Sequence, residues 1–298
     1  RILGFRRGQV NGVLPATLAC PRAAALVGLA RMESEDHLYS GVIGRVQWFA
    51  RRFGWGEIVC LPFRILASRI VVPFLRERHF KFRGGLLPCF YAHYNVTWCN
   101  ERAVEVPLGR WYLEQAAEEA ARVLEVGHVL GHYGDHDHAV LDKYETASGV
   151  INEDITTWQT EERFDLILSI STFEHIGFDD DAPGGSADKI LAAIAACRNL
   201  LNPQGRLAIT VPLGYNPELD RLIERNELGE DRGWFLLRHG PREWKEVARH
   251  QAMGTPFGRP SAPNDTTSPR RSRSSKSLCS QTLSLIHISE PTRQEAIS

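Results

Sequence analysis

Between residues 122 and 237 the chain repeats one pattern: a short aliphatic run, a polar or helical stretch, then another aliphatic run. Arg122-Val-Leu-Glu-Val126 is the first run and ends at Gly127. Ala139-Val-Leu141 is the second, and Phe164-Asp-Leu-Ile-Leu-Ser-Ile170 is a stronger third. Runs this short, bounded by turn residues, predict strands buried in a sheet. Residues 187–201 carry helical periodicity, Asn202-Pro-Gln-Gly205 reads as a turn, and 206–211 as another buried strand. A helix over 217–228 and a strand over 234–237 complete the series. This alternation predicts an α/β domain with a doubly wound, mostly parallel sheet and helices on both faces. Ligands of such sheets bind outside the carboxyl ends of the central strands. The residues following Val126, Leu141 and Ile170 are therefore where chemistry is expected.

Ahead of this region, residues 40–75 predict helical, aromatic-rich segments. The apolar stretch 58–75 is interrupted by Arg64 and Arg69. It reads as an amphipathic helix packed on the domain or lying on a membrane face, not as a span, and membrane association is not expected to dominate. His79-Phe-Lys-Phe-Arg83 alternates, meets Gly84-Gly85 and resumes at 86–91, which predicts a β-hairpin. Asn100 is positioned to cap a helix running from Glu101 towards Ala120, broken or kinked near Pro107 and Gly109. A formal charge of −1 gives no electrostatic reason to expect nucleic acid as a partner. Six cysteines without a C-x-x-C pair argue for reduced thiols in a cytoplasmic protein over zinc or disulfides.

Val123-Leu-Glu-Val-Gly-His-Val-Leu-Gly131 resembles the first motif of class I S-adenosylmethionine-dependent methyltransferases: a strand, an acid and a glycine-rich turn. Glu125, Gly127 and Gly131 match the pattern acid-x-Gly-x-Gly-x-Gly, and Val129 stands where the middle glycine would be. Asp142 after the second strand, Asn152-Glu-Asp154, Phe164-Asp-Leu-Ile with Glu174-His175-Ile, and Leu200-Leu-Asn-Pro-Gln-Gly-Arg-Leu207 follow in the family's order. Asn100-Glu-Arg-Ala-Val-Glu-Val-Pro107 and Pro212-Leu-Gly-Tyr-Asn-Pro-Glu-Leu219 are similar to a little-described group within it.

The resemblance implies a Rossmann-like fold and S-adenosylmethionine as cofactor, held by Glu125, Gly127, Gly131, Asp142 at the ribose and Asp154 near the adenine. It implies methyl transfer to a small-molecule or glycan-type acceptor, with Glu174 and His175 as base candidates. Glu101, Arg102 and Glu105 would cover the cofactor or form a solvated helix face. Val129, and the mere seventeen residues from Glu125 to Asp142, keep a non-catalytic binding or assembly module open as the alternative. His128, His132, His136 and His138 cluster with Asp135 and Asp137. His132 and His136 would share a helical face as metal ligands do, but a polar turn is the expectation and no metal is assigned.

The domain is expected over 100–257, after an upstream extension (1–31) and a helical and hairpin extension (32–99). Residues 258–282 are rich in Ser, Pro and Arg, and Leu283-Ser-Leu-Ile-His-Ile-Ser-Glu-Pro-Thr-Arg293 resembles a translated transposon-type sequencing adapter. The family's sheet ends with a seventh strand inserted antiparallel beside the fifth. Proline density after Phe257 forbids a central strand there, so the final strand is expected to be missing, with disorder over 258–298.

Overall fold

The computed structural model describes residues 55–75, 78–134, 137–178, 187–229, 232–239, 243–253 and 282–289. The sequence expectations for 1–54 and 258–281 lie outside them.

Strands β3 (Val123–Val126), β4 (Ala139–Leu141), β5 (Val150–Ile151), β6 (Phe164–Ile170) and β7 (Leu201–Pro212) pair in parallel. Beyond β7 lie β8 (Arg232–His239), β9 (Glu243–Val247) and β10 (Thr282–Ser289), giving the order β5-β4-β3-β6-β7-β10-β8-β9. β6 is buried along nearly its whole length, as a strand covered on both faces must be. Parallel strands flanked by helices, with an antiparallel strand beside the fifth, make this a Rossmann-like α/β fold.

The expected open edge is corrected. β10 runs antiparallel to β7 from Leu283↔Pro212 to Ser289↔Arg206, and antiparallel to β8 from Thr282↔Leu237 to His287↔Arg232. The proline argument applies to the stretch just after Phe257, whereas the strand enters later in the chain. Thr-Leu-Ser-Leu-Ile-His-Ile-Ser contains neither proline nor glycine and is rich in β-branched residues. It also satisfies backbone groups on two strands at once, which would otherwise present unpaired edges. The predicted turn at 202–205 lies within β7 as an irregularity, where the partner of β6 jumps from Leu201 to Arg206.

On one face α3 (Ala187–Asn199) and α4 (Pro217–Glu224) cover the sheet; here Ile190, Ile194 and Leu222 meet Ile167 and Ile209. On the other lie α2 (Arg102–Glu118) and the hairpin β1 (His79–Phe82) and β2 (Gly85–Pro88). The hairpin turns through Arg83 and Gly84, both at positive φ. Phe82 sits edge-on to Trp111 of α2 and Trp234 of β8, and the Arg83 guanidinium lies over both indoles. The hairpin thus shares a core with the sheet.

The expected break in α2 does not occur. Pro107 cannot donate to the carbonyl four residues back, that of Ala103. Phe90 N–H, from the segment after the hairpin, serves that carbonyl instead at 2.8 Å. Gly109 permits close packing: a Cβ there would lie 2.5 Å from the Ile170 side chain. Asn100 caps as expected, its Oδ1 accepting from Arg102 N–H at 3.1 Å.

α1 (Trp55–Leu75) precedes the hairpin and meets the domain at a short 3-10 segment, Tyr94–Cys99.

Candidate active site at the carboxyl end of the sheet

The turn after β3 requires its first glycine. Gly127 has φ +91°, and a Cβ there would fall 2.0 Å from Thr172 Oγ1 at the mouth of β6. The turn is held by Glu125, fully buried, whose Oε1 accepts from Val129 N–H (3.0 Å) and Leu130 N–H (2.8 Å). Its Oε2 lies 2.9 Å from His138 Nε2. Glu125 therefore shapes the glycine turn from behind. Between β3 and β4 the chain forms a 3-10 turn, Leu130–His132, which contains Gly131. Val129 is partly buried and packs against the apolar cluster under α2.

Asp142, at the end of β4, ties this turn to the next loop. Its Oδ2 accepts from His128 N–H, and its Oδ1 from Tyr144 and Glu145 N–H, each at 2.8 Å. A carboxylate has about four acceptor sites, so one, on Oδ2, remains for a ribose hydroxyl. Asn152 supports the loop by donating to the carbonyls of Asp142 (3.1 Å) and Lys143 (2.8 Å). Asp154 begins a single turn. Its Oδ1 accepts from Thr156 N–H and Oγ1, and its Oδ2 lies 3.4 Å from Lys143 Nζ. Partial burial opposes ionisation of Asp154, but the Thr156 hydrogen bonds and the Lys143 ammonium outweigh it and lower its pKa.

The second half of the site lies over β6 and β7, and its centre is Glu105. This side chain is fully buried: Oε1 accepts from Ser171 Oγ (2.5 Å) and Thr210 Oγ1 (3.0 Å), and Oε2 from Arg102 Nη1 (2.7 Å). The solvated helix face considered for this segment is thereby corrected: the first turn of α2 is clamped onto the strand ends. Glu101 Oε2 is also buried, without a hydrogen-bond partner. Burial, then the Glu105 charge, push its pKa up against the pull of Arg102.

Glu174 follows β6 and is 2% exposed. Its Oε1 is 3.7 Å from His175 Nε2, its Oε2 has no hydrogen-bond partner, and burial pushes its pKa up to about 7. Glu105 adds to that rise, while His175 and Arg102 oppose it. His175 is half-exposed, with its ring 4.9 Å from that of Tyr215. Asn216 donates to the Glu174 carbonyl (3.1 Å) and caps α4 by accepting from Glu218 N–H (3.0 Å). Sequence reasoning missed Asn216 and the central place of Glu105. The signals were there: an Asn-Pro helix start, and polar residues at 171 and 210 on otherwise apolar strands.

Glu105 is thus in electrostatic reach of both Glu101 and Glu174, and so is Arg102. Glu174 is set to exchange a proton near neutrality. Separately, His128, His132 and Glu145 bring one potential ligand atom each within 4.8 Å of one another. Burial, then His128, lower the His132 pKa. Of the expected cluster, His138 lies against Glu125 instead, and His136 and Asp135 lie outside the described residues.

No family model and no curated protein matches the chain. Among solved structures it is similar to the N-methyltransferase NodS from Bradyrhizobium japonicum WM9 in complex with S-adenosyl-L-homocysteine. That match has 14% identity and a TM-score of 0.32, covering 65% of this chain and 94% of that one. The SAM-bound amino pentose methyltransferase CalS10 from Micromonospora echinaspora matches at 19% identity and TM-score 0.27, covering 40% and 56%. The sugar N-methyltransferase KedS8 from a Streptoalloteichus species matches at 21% and 0.26, covering 36% and 47%. The chain spans about half the length of the latter two.

Proposed function

We propose that this chain transfers a methyl group from S-adenosylmethionine to a nitrogen of an amine-bearing small molecule or sugar. The observation that carries the reading is Glu174: a buried carboxylate with one oxygen lacking a hydrogen-bond partner, in electrostatic reach of Glu105, at the mouth of the central strand. Leaving an acid buried and unpaired costs stability, and such groups concentrate at functional sites. That favours catalysis over a purely structural module.

The residues present fit the cofactor. Gly127 holds the positive-φ turn that the close contact with Thr172 requires, and Asp142 has one acceptor site left, on Oδ2, for a ribose hydroxyl. When bound, S-adenosylmethionine supplies an electrophilic methyl on a sulfonium. Glu174, once ionised, supplies the negative charge that draws a protonated amine into the site. Glu174 takes the proton that must leave the nitrogen before its lone pair can attack, and the half-exposed His175 relays it to solvent. The positioning of the acceptor nitrogen in line with the methyl is the protein's larger task.

Labelled methyl transfer measured on a panel of amino sugars and their neutral counterparts tests this. Turnover of an amine acceptor is expected to rise as pH passes through about 7 and Glu174 ionises. Glu174→Gln is expected to lower kcat by about 10²–10⁴-fold and to abolish that rising limb. It should also stabilise the fold. A carboxyl whose pKa is raised on folding contributes stability below its unfolded value, and that contribution is lost as pH rises through the folded one. At pH 8 the variant should therefore unfold about 1–3 kcal/mol later than the parent, with the gain disappearing near pH 4. Transfer to neutral sugars alone, or unchanged turnover in Glu174→Gln, would contradict the assignment.

A further inference from the structure

α1 is apolar on two opposite faces, and among the described residues only one of them has a partner. Its inner face carries Ser68, Val72 and Leu75, all buried, and Ser68 Oγ lies 2.9 Å from His93 Nδ1. Its outer face carries Val59, Phe63, Leu66, Ile70 and Phe74, which are between 61% and 80% exposed. The spacings of four, three, four and four residues align these side chains as one stripe along a helix of 3.6 residues per turn. Across Ile58–Leu75 only 17% of residues are buried, although the mean hydropathy of 1.9 is that of a membrane-compatible segment. A helix serving the core of a soluble domain would show the reverse.

Charge identifies what covers the stripe. By helical spacing Arg64 and Arg69 lie on the two shoulders between the inner and outer faces, and no acid occurs from 58 to 75. Long cationic side chains in this position extend their charged ends away from an apolar surface while their stems lie along it. Two copies of the stripe facing each other would bring like-charged shoulders together. Anionic headgroups would instead match both shoulders while acyl chains receive the stripe. A transmembrane arrangement is disfavoured because the inner face is held by the domain at Tyr94–Cys99.

We propose that α1 is an interfacial anchor that docks this protein flat on an anionic bilayer surface. The segment to which α1 is fastened leads directly through Asn100 into the first turn of α2, so docking brings the Glu101–Glu105 side of the site towards the headgroups.

Co-sedimentation of the full chain with phosphatidylcholine vesicles, with and without phosphatidylglycerol, tests the proposal. The chain is expected to pellet with the phosphatidylglycerol vesicles and to release at high salt. The variant Phe63→Ser/Ile70→Ser/Phe74→Ser should lose at least about tenfold in vesicle affinity. Because these side chains face outward, its unfolding midpoint and its binding of S-adenosylhomocysteine should match the parent. That last readout separates failure of the anchor from failure of the proposed chemistry. Arg69→Glu should weaken binding to the anionic vesicles while leaving the residual binding to phosphatidylcholine. A parent chain that stays in solution with both vesicle types would overturn the proposal. So would a dimer, seen by light scattering, that the triple variant dissolves, since the stripe would then belong to a second copy.

Discussion

Glu105→Ala is expected to destabilise the fold by about 3–5 kcal/mol, a large part of the 5–15 kcal/mol that holds a typical domain together. The cost has two sources. The Arg102 guanidinium, on a side chain only 15% exposed, loses the carboxylate 2.7 Å away. Ser171 and Thr210 lose their common acceptor at the ends of β6 and β7. A buried donor left without a partner keeps its full desolvation penalty. Glu105→Gln keeps an acceptor for the hydroxyls and should cost roughly half as much. Urea unfolding of the two variants measures this. A loss under about 0.5 kcal/mol in Glu105→Ala, the range of ordinary surface substitutions, would show that α2 is not fastened to the sheet through this residue.

The second large effect concerns β10. Ending the chain after Gln281 should remove cooperative unfolding and leave an aggregating product, because β7 and β8 would both expose unpaired backbone. Ile286→Pro should be nearly as damaging. Its backbone lies opposite both Ile209 and Gly233, and proline in a central strand removes a ladder donor. A different eight-residue strand of equal alternation, free of proline and glycine, should restore folding, since backbone pairing is what the position demands. Thermal unfolding monitored by circular dichroism distinguishes these cases. A truncated chain that melts cooperatively at the parent temperature would mean that the sheet closes without β10.

β3, β4 and β6 were legible because a parallel strand buried on both faces reads as a continuous aliphatic run, independent of its partners. β9 was missed because an edge strand such as Glu-Trp-Lys-Glu-Val, mostly exposed, carries too few apolar residues for that signal. The continuity of α2 through Pro107 depends on Phe90, seventeen positions upstream, and no local propensity encodes that repair. Glu105 read as a solvated acid because its partners come from two strands distant in sequence. The packing of Val129 against the cluster under α2 was not legible either. The glycine turn and Asp142 were legible as positions, but the part Glu125 plays, facing loop amides and His138, required coordinates.

Calorimetric titration of the full chain with S-adenosylhomocysteine bears most directly on the proposed methyl transfer. Saturable binding is expected with a Kd of ~10⁻⁶–10⁻⁴ M, weakened at least about tenfold in Asp142→Asn, whose amide cannot take the full set of donors that a carboxylate accepts. A chain that unfolds cooperatively yet gives no heat of binding up to about millimolar ligand would contradict the proposal and return the fold to a non-catalytic role.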